Sequence, residues 1–585
     1  MIVPMKKIFV VLQLKDKVGA LAELQKMGVV HVEHVRTPES RHLIELNKDV
    51  QDMERTITVL STFKDIKEQH KAEHWKSVIA KLIQYQDESA QMEEEAVQLK
   101  TQIRNWESWG EFESNDIREL AEKGVHIQFY EIPKNSFAKL EEKKNLYWCS
   151  VQGATAYALF VSNTKMKLPF KEIDLPQRGL REMQLRLKTI EEQFKKNQEH
   201  IKGLAKYRDH LAVILGTKRQ EFEFSQVEAG LGLAEELSYL KGYCPLENCD
   251  MLTKAARQYS WGLMVENVSD EDRPPTLLRN PKWVEIIKPV FGLINVLPGY
   301  KEADISPVFL IFFSIFFGIL IGDAGYGLIF LGLTAFVQMK LKNKNVDRAP
   351  FFLIYTLSTC AVLWGVLTGT FFGTVLLGRF VKPVIAWLTE AKNIELLCFT
   401  IGAVHLSIAH FWRFSMKFPS ISAFAEIGSV CIIWGGYFVA NMMIIGIPLM
   451  WFVKYLFITG AVLILIDIFT QTKSTIFVNV ILFVFGIINA FTDVVSYVRL
   501  FAVGLAGVAV ADAFNEMALD FGFNGVVPSL ITVLILVVGH LFNIVLSGFG
   551  ILVHGLRLNV LEFSGHLGLE WGGVKYAPFK LEGKL

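Results

Sequence analysis

The sequence predicts an α-helical membrane protein with an α+β cytoplasmic domain: two small α/β lobes joined by an antiparallel coiled coil, then eight transmembrane helices, the last two long and tilted. Three observations predict it. Of 60 Lys+Arg and 59 Asp+Glu in 585 residues, roughly 89 precede position 304 and roughly 30 follow it, so a soluble half meets an apolar one. Residues 304–585 hold seven apolar stretches, most near the roughly 20 residues that span a bilayer. Two runs rich in Glu, Lys, Gln and Ala repeat apolar residues at three-to-four spacing within the first half.

The N-terminal segment MIVPMKKIFVVLQL reaches polar Lys15, Asp16 and Lys17 without a small-residue cleavage site, which predicts a strand and not a signal peptide. The first half is therefore expected to stay in the cytoplasm. Strand (Ile8 to Leu12), helix (Val18 to Met27) and strand (Val29 to Val35) make a βαβ unit with a turn at Gly28. VHIQFYEI, LYWCSVQ and AYALFVS read as strands of a second lobe. Lobe segments are expected at about 1–46, 110–178 and 224–275 in a cytoplasmic domain of 1–303, with the transmembrane domain at 304–585.

The coiled-coil arms are expected at about 47–109, through Ile57, Leu60, Phe63, Val78, Leu82 and Tyr85, and at 179–223, through Leu180, Met183, Leu187 and Ile190. Roughly 40 helical residues make a strut on the order of 60 Å, suited to spacing or force. The alternative is that the arms dimerise with a second copy.

Several function classes are excluded. A formal charge of +1 without a basic stripe removes the electrostatic footprint of a nucleic-acid binder. The six cysteines are scattered, and Cys244-x4-Cys249 has no second ligand pair, so they read as reduced and structural. There is no GxxxxGK[ST] loop, and the glycines near GLGLAEEL follow no clear strand. No cofactor is expected, and if ATP drives the protein another chain hydrolyses it.

The apolar stretches lie at about 307–339, 351–373, 396–412, 423–448, 452–470, 476–518 and 528–563. Gly322, Asp323, Gly325 and Gly327 interrupt the first. If it makes two passes, the basic loops with Lys340, Lys342, Lys344 and Arg348, with Arg413 and Lys417, and with Lys473 all face the cytoplasm. So does the tail with Lys575, Lys580 and Lys584, which gives eight helices and cytoplasmic termini. The outer loop with Arg379, Lys382 and Lys392 is the exception. The final two stretches exceed a perpendicular span and are expected to tilt or project.

Those two stretches also hold Arg499 and Arg557. A buried arginine costs at least about 2.5–3.5 kcal/mol on insertion scales and cannot escape by deprotonating. Val495, Ala502, Ala506, Val510 and Ala513 share the Arg499 face, a low ridge with one cation. Two readings stay open: small-residue helix packing with Arg499 paired to Asp493 or a neighbouring helix, or a smooth surface past which a carboxylate-bearing helix slides. In the second, a lipid-facing carboxylate is neutral until Arg499 favours its ionised form and releases the ion. Toward the outer end lie Asp512, Asn515 and Glu516, and toward the cytoplasm Asn489, Asp493 and Ser496, as two candidate half-paths. His405, His410, Glu426, Asp467, His540, Asn543, His554 and Glu562 are further intramembrane polar groups. Of these Glu426, with Asp512, is the best outer or lateral candidate, while His554 and Glu562 flank Arg557 and hold it in place.

SYVRLFAVGLAG (496–507) resembles the arginine segment of V/A-type ATPase subunit a, called subunit I in prokaryotes, and HGLRLNVLEF (554–563) resembles its second arginine segment. FFGILIGDAGYG (316–327) and PPTLLRNP (274–281) match too, and the likeness in layout covers essentially the whole chain. The resemblance implies a non-catalytic stator subunit of a rotary ATPase that moves H+ or Na+, with Arg499 facing the carboxylate of a ring proteolipid (subunit c/K) and Arg557 assisting. It also implies that the lobes attach to peripheral-stalk heterodimers (E/G) and a central-stalk adaptor (d/C), with the catalytic A/B head reached indirectly. Gly507 and Ser547 depart from eukaryotic relatives, which tend to carry histidine and glutamate there. The short loops favour a prokaryotic plasma-membrane form. A stand-alone secondary ion transporter with a regulatory coiled coil is the alternative, against which stand the strut and the lack of an inverted repeat.

Overall fold

The computed structural model describes residues 1–63, 70–71, 74–134, 136, 145–342, 346–375, 382–470 and 476–581. Lys344, Arg379, Lys473 and Lys584 of the topology argument lie outside them. In chain order, β1 (Met5–Gln13), α1 (Lys17–Met27) and β2 (His31–Glu33) precede α2 (Arg41–Leu60), α3 (Trp75–Trp106) and α4 (Ser114–Glu122). Then come β3 (His126–Pro133), β4 (Leu146–Gln152), β5 (Thr155–Ser162), β6 (Lys171–Ile173), α5 (Leu180–Leu204) and α6 (Arg208–Ala229). β7 (Gly232–Ala234), β8 (Leu237–Pro245), α7 (Cys249–Gln258), β9 (Gly262–Asn267), α8 (Lys282–Glu285) and α9 (Lys288–Ile294) lead to the apolar half. Contacts divide the chain into one unit of Met1–Phe9, Val29–His31 and Gly242–Pro578 and another of Val10–Gly28, Val32–Lys241 and Phe579–Leu585.

In the second unit α2 packs on α6 and α3 on α5. The apolar spacing explains this: Val50, Met53, Ile79 and Leu215 bury together, as do Leu60, Leu82, Ile201 and Leu211. The arms thus pair within one chain, and cross-arm ion pairs such as Arg186 with Glu95 (2.9 and 3.0 Å) line their surface. Antiparallel β4-β5-β3-β6 forms the second lobe, with Phe129 opposite Leu159. Trp106 and Trp109 wedge edge-on against Phe129 and so tie that sheet to the end of α3. The other sheet runs β2-β8-β1-β9, with β7 on β8, so the predicted βαβ strands are split by β8.

The first unit carries α10 (Ser306–Ile321), α11 (Ala324–Lys340), α12 (Ala349–Thr368), α13 (Ala391–Lys417), α14 (Ser422–Ala440), α15 (Val453–Thr470), α16 (Ile476–Ser496), α17 (Val498–Phe521) and α18 (Val526–Gly550). α16 and α17 form one 46-residue apolar element broken only by a turn at Tyr497. α18 runs on through wide π turns at Ile551–Gly555 and Leu558–Phe563 to α19 (Ser564–Leu567), another 42-residue element. Among the described residues six such elements are long and apolar enough to cross a membrane singly. α10 and α11 meet that measure only together, bent by 119°. The bend has a local cause: Gly322 closes α10 at φ +67°, and Asp323 caps α11 by accepting from Tyr326 N at 3.1 Å.

Phe309, Phe316, Phe399, Tyr497, Leu500 and Phe563 make the centre of the helical core. α10 and α17 approach so closely that a Cβ on Gly504 would sit 2.5 Å from the Ile319 carbonyl. The ends of the helical block are tied together. The N-terminal ammonium meets Asp304, just before α10, at 2.5 Å. After α19, Glu570 N donates to Glu302 at 2.7 Å, and Thr276 N to Val574 O at 2.7 Å. The chain therefore enters and leaves the helical block at the same end.

Lys7 reaches Asp272 at 2.7 Å, and Ser269 donates to the same carboxylate through N and Oγ. These donors, Lys7 foremost, hold the Asp272 carboxyl well below the usual carboxylate range. The stability they supply is thus present above about pH 4 and lost as the pH falls further. Asp272→Asn is expected to lower the thermal midpoint of the detergent-solubilised chain at neutral pH, by a loss of about 1–3 kcal/mol. The gap from the wild type should close below about pH 4; a gap that stays constant with pH contradicts the assignment.

Candidate functional site

At one end of the helical block, polar groups singled out in the sequence grip one loop. Asp323 Oδ2 accepts from Gly373 N at 2.8 Å, Asp512 accepts from Thr374 N at 2.6 Å and Val375 N at 2.9 Å, and Asn515 donates to Phe372 O at 2.6 Å. Phe372 (φ +52°) and Gly373 (φ +83°) take the left-handed conformation there, and Asp512 would block any side chain on Gly373. Gly325 faces the Phe372 ring, and Gly327 lets α11 lie close on α12. Deeper, Tyr326 Oη pairs with His540 Nδ1 at 2.8 Å and accepts from Asn543, which also donates to Gly507 O at 2.7 Å. Positions 507 and 547, where the sequence departs from eukaryotic relatives, lie side by side: a Cβ on Gly507 would meet Ser547 Oγ at 3.7 Å. Glu516 is exposed.

At the middle, two cations share one anion. Arg499 Nη2 donates to Glu562 Oε1 at 2.8 Å, and Arg557 Nε lies 3.4 Å from the same oxygen. Arg499 Nε also donates to Ser496 O at 3.0 Å. Of the two partners weighed for Arg499, the neighbouring helix provides it, and Asp493 instead meets His566 at 3.0 Å. Glu562 is 5% exposed, and its Oε2 has no hydrogen-bond partner among the described residues. The π turns on either side of Arg557 rotate it and Glu562 toward α17. His554, which flanks it, keeps Nδ1 buried and without a hydrogen-bond partner among the described residues. From Arg499 onward Ala502, Leu505, Ala506, Ala509 and Ala513 are exposed, while Val495 and Val510 are partly buried.

On the other side a cavity of about 540 Å³ opens between α13, α14, α16 and the last helix, lined by Asn489, Asp493, Arg557, Glu562, His410 and His566 among others. Ser496 turns away to bond Asp493 O. Glu426, an outer or lateral candidate in the sequence, lies at this end of the helices and away from Asp512: it pairs with Lys417 at 2.5 Å, with Arg413 at 3.2 Å and with His410 at 2.7 Å. The reason is its place one turn into α14, across the short connection from the end of α13, where Arg413 and Lys417 lie. Nineteen residues of helix separate Asp493 from Asp512, about 28 Å of rise. Sequence reasoning missed His566, although it lies one helical turn after Glu562, and missed the 372–375 loop, whose Phe-Gly-Thr-Val carries no charge. His405, stacked between Phe312 and Phe563 and joined to Tyr497 Oη at 2.8 Å, belongs to the core.

No protein-family model matches the chain. The V-type ATP synthase subunit I of Borreliella burgdorferi is 30% identical over 613 residues, 99% of each chain. The chain belongs to the subunit I family of V/A-type ATP synthases. It is an integral membrane subunit of such a complex. An archaeal family member, the A-type ATP synthase subunit I of Methanocaldococcus jannaschii, is 26% identical over 465 residues, 71% of this chain and 66% of that one. A crystal structure of the cytoplasmic N-terminal domain of subunit I, homolog of subunit a, of V-ATPase aligns with 44% of this chain and 99% of its own at 17% identity, with a TM-score of 0.23.

Asp512→Ala removes the acceptor for two backbone N–H groups and the Thr374 hydroxyl. It is expected to free the 372–375 loop, at a cost of about 2–3 kcal/mol. Thiol labelling of a cysteine at Thr374 should speed up in that background, and an unchanged labelling rate would show the loop to be held by other contacts.

Proposed function

We propose that this family member is the non-catalytic stator of its rotary ATPase, forming two ion half-channels beside the rotating proteolipid ring and coupling H+ or Na+ passage to ATP hydrolysis or synthesis. The observation that carries this is the charge count at the centre: among the described residues Arg499 and Arg557 share the one carboxylate of Glu562, which leaves one positive charge in excess next to an exposed face of small residues. A desolvated cation of that kind favours the ionised form of a carboxylate that slides up to it. The small residues of α17 let a second helix pass closely. The polar groups fall into two separate sets, around Asp512, Asn515, His540 and Asn543 outside and around Asn489, Asp493 and Glu426 inside, with the arginines between.

In this reading the chain lies in a prokaryotic plasma membrane with both termini cytoplasmic. The shared end of entry and exit calls for an even number of crossings, which favours eight over seven, with α10 and α11 as the two arms of a hairpin. The cytoplasmic coiled coil and lobes anchor the peripheral stalks (E/G) and the central-stalk adaptor (d/C), and through them the A/B head. Arg499→Ala is expected to leave the complex assembled and to bring ATP-driven ion uptake in vesicles down to background. An assembled mutant complex that pumps at the normal rate removes Arg499 from the mechanism.

A further inference from the structure

Three hydrogen bonds join four titratable side chains in a row. Glu426 Oε2 meets His410 Nδ1 at 2.7 Å, His410 Nε2 meets His566 Nδ1 at 2.9 Å, and His566 Nε2 meets Asp493 Oδ2 at 3.0 Å. Each bond needs one proton between its heavy atoms. Two neutral imidazoles bring two protons and ionised carboxylates bring none. The intact row therefore holds one proton more, as an imidazolium or on a carboxyl, and that proton can shift along it without any heavy atom leaving its place.

The surroundings give the row two ends. Asp493, His566 and His410 line the 540 Å³ cavity together with Arg557, Glu562 and Arg413, and Glu426 lies beyond that lining; the cavity is a polar space large enough for water. At the other end Glu426 meets Lys417 and Arg413 beside the loop between α13 and α14, and Arg413 Nη1 also donates to His566 O at 3.1 Å. The four side chains form a line and not a cage: among the described residues no three His, Cys, Asp or Glu converge as metal ligands.

We propose that Asp493, His566, His410 and Glu426 are a proton relay between the cavity below the arginines and the helix end at Lys417, so that the inner path carries H+ and not Na+. This rests on the stator reading above. In one passage the Nδ1–H bond of His566 breaks as an Nε2–H bond forms on His410. The Nδ1–H bond of His410 then breaks as an O–H bond forms on Glu426 Oε2, and that proton leaves to water. Rotation of the two rings and uptake of one proton from the cavity through Asp493 restore the starting count, so one proton enters for each that leaves. Na+ has no equivalent of this hop, because the ring nitrogens along the row are already engaged with one another.

The test uses the whole complex in vesicles, with ATP-driven H+ uptake, radiolabelled Na+ uptake and ATP hydrolysis read side by side. His566→Gln and His410→Gln keep a polar side chain but cannot relay, and each is expected to cut H+ uptake on the order of 100-fold with subunit composition unchanged. Added imidazole should restore part of the flux in His566→Gly, which a merely structural role would not allow. Normal pumping by either glutamine variant, or a glycine variant that imidazole leaves silent, overturns the relay. ATP-driven Na+ uptake by the unmodified complex overturns it without any variant. Arg499→Ala separates the two levels: if it pumps, the stator reading fails, and if it is silent while His566→Gln pumps, only the relay fails.

Discussion

A guanidinium inside a bilayer keeps its proton, so its cost has to be met by a counter-charge brought from elsewhere in the chain. Glu562 is that counter-charge for two arginines at once, 63 residues from Arg499 in sequence and 2.8 Å away in space. Its position depends on the last helix, where wide π turns set Arg557 and Glu562 on the side facing α17. The close approach of Gly504 to α10 fixes α17 in turn. One carboxylate between two cations is a half-neutralised arrangement, less costly than two bare arginines yet still able to attract another anion.

Around this centre the two halves of the membrane domain are built differently. The half around Asp512 is a frame in which Asp323, Asp512 and Asn515 each hold the backbone of one loop. The half around Asp493 is a cavity edged by side chains that bond to one another, with two histidines in series. Carboxylates that cap backbone groups define shape, whereas carboxylates joined through imidazoles can exchange protons. In the proposed stator that contrast suits a path whose outer mouth is held open and whose inner wall takes part in transfer.

Much of this was legible in the chain. Arg499 and Arg557 stood out because a charge in an apolar run is expensive, and the Gly-Asp-Ala-Gly-Tyr-Gly segment announced a helix break because glycine and a capping aspartate serve no purpose mid-helix. The coiled coil followed from the spacing of Leu60, Leu82, Met183 and Ile190. The anion chosen by Arg499 was not legible, since sequence carries no distance between helices and Asp493 was as near in number as Glu562 was far. Glu426 reads as an outer or lateral candidate because hydropathy gives depth only coarsely, and its ties to Lys417 and His410 arise from packing of α13 on α14. His566 was overlooked for the same reason, lying at the ragged end of the last apolar stretch. Split of the first βαβ unit by β8 reflects a long-range pairing across more than 200 residues, which local pattern does not encode.

The central claim is that the exposed small-residue face of α17, next to the half-neutralised arginines, is where a ring helix passes. Disulfide cross-linking in native membranes tests it most directly, with single cysteines placed along α17 and one placed a turn from the carboxylate of the ring proteolipid. The account predicts cross-links from Ala502, Ala506, Ala509 and Ala513, which are exposed, and none from Leu500, Gly504 and Ala511, which are buried. Cross-links absent from the exposed alanines, or equally strong from the buried positions, would contradict it.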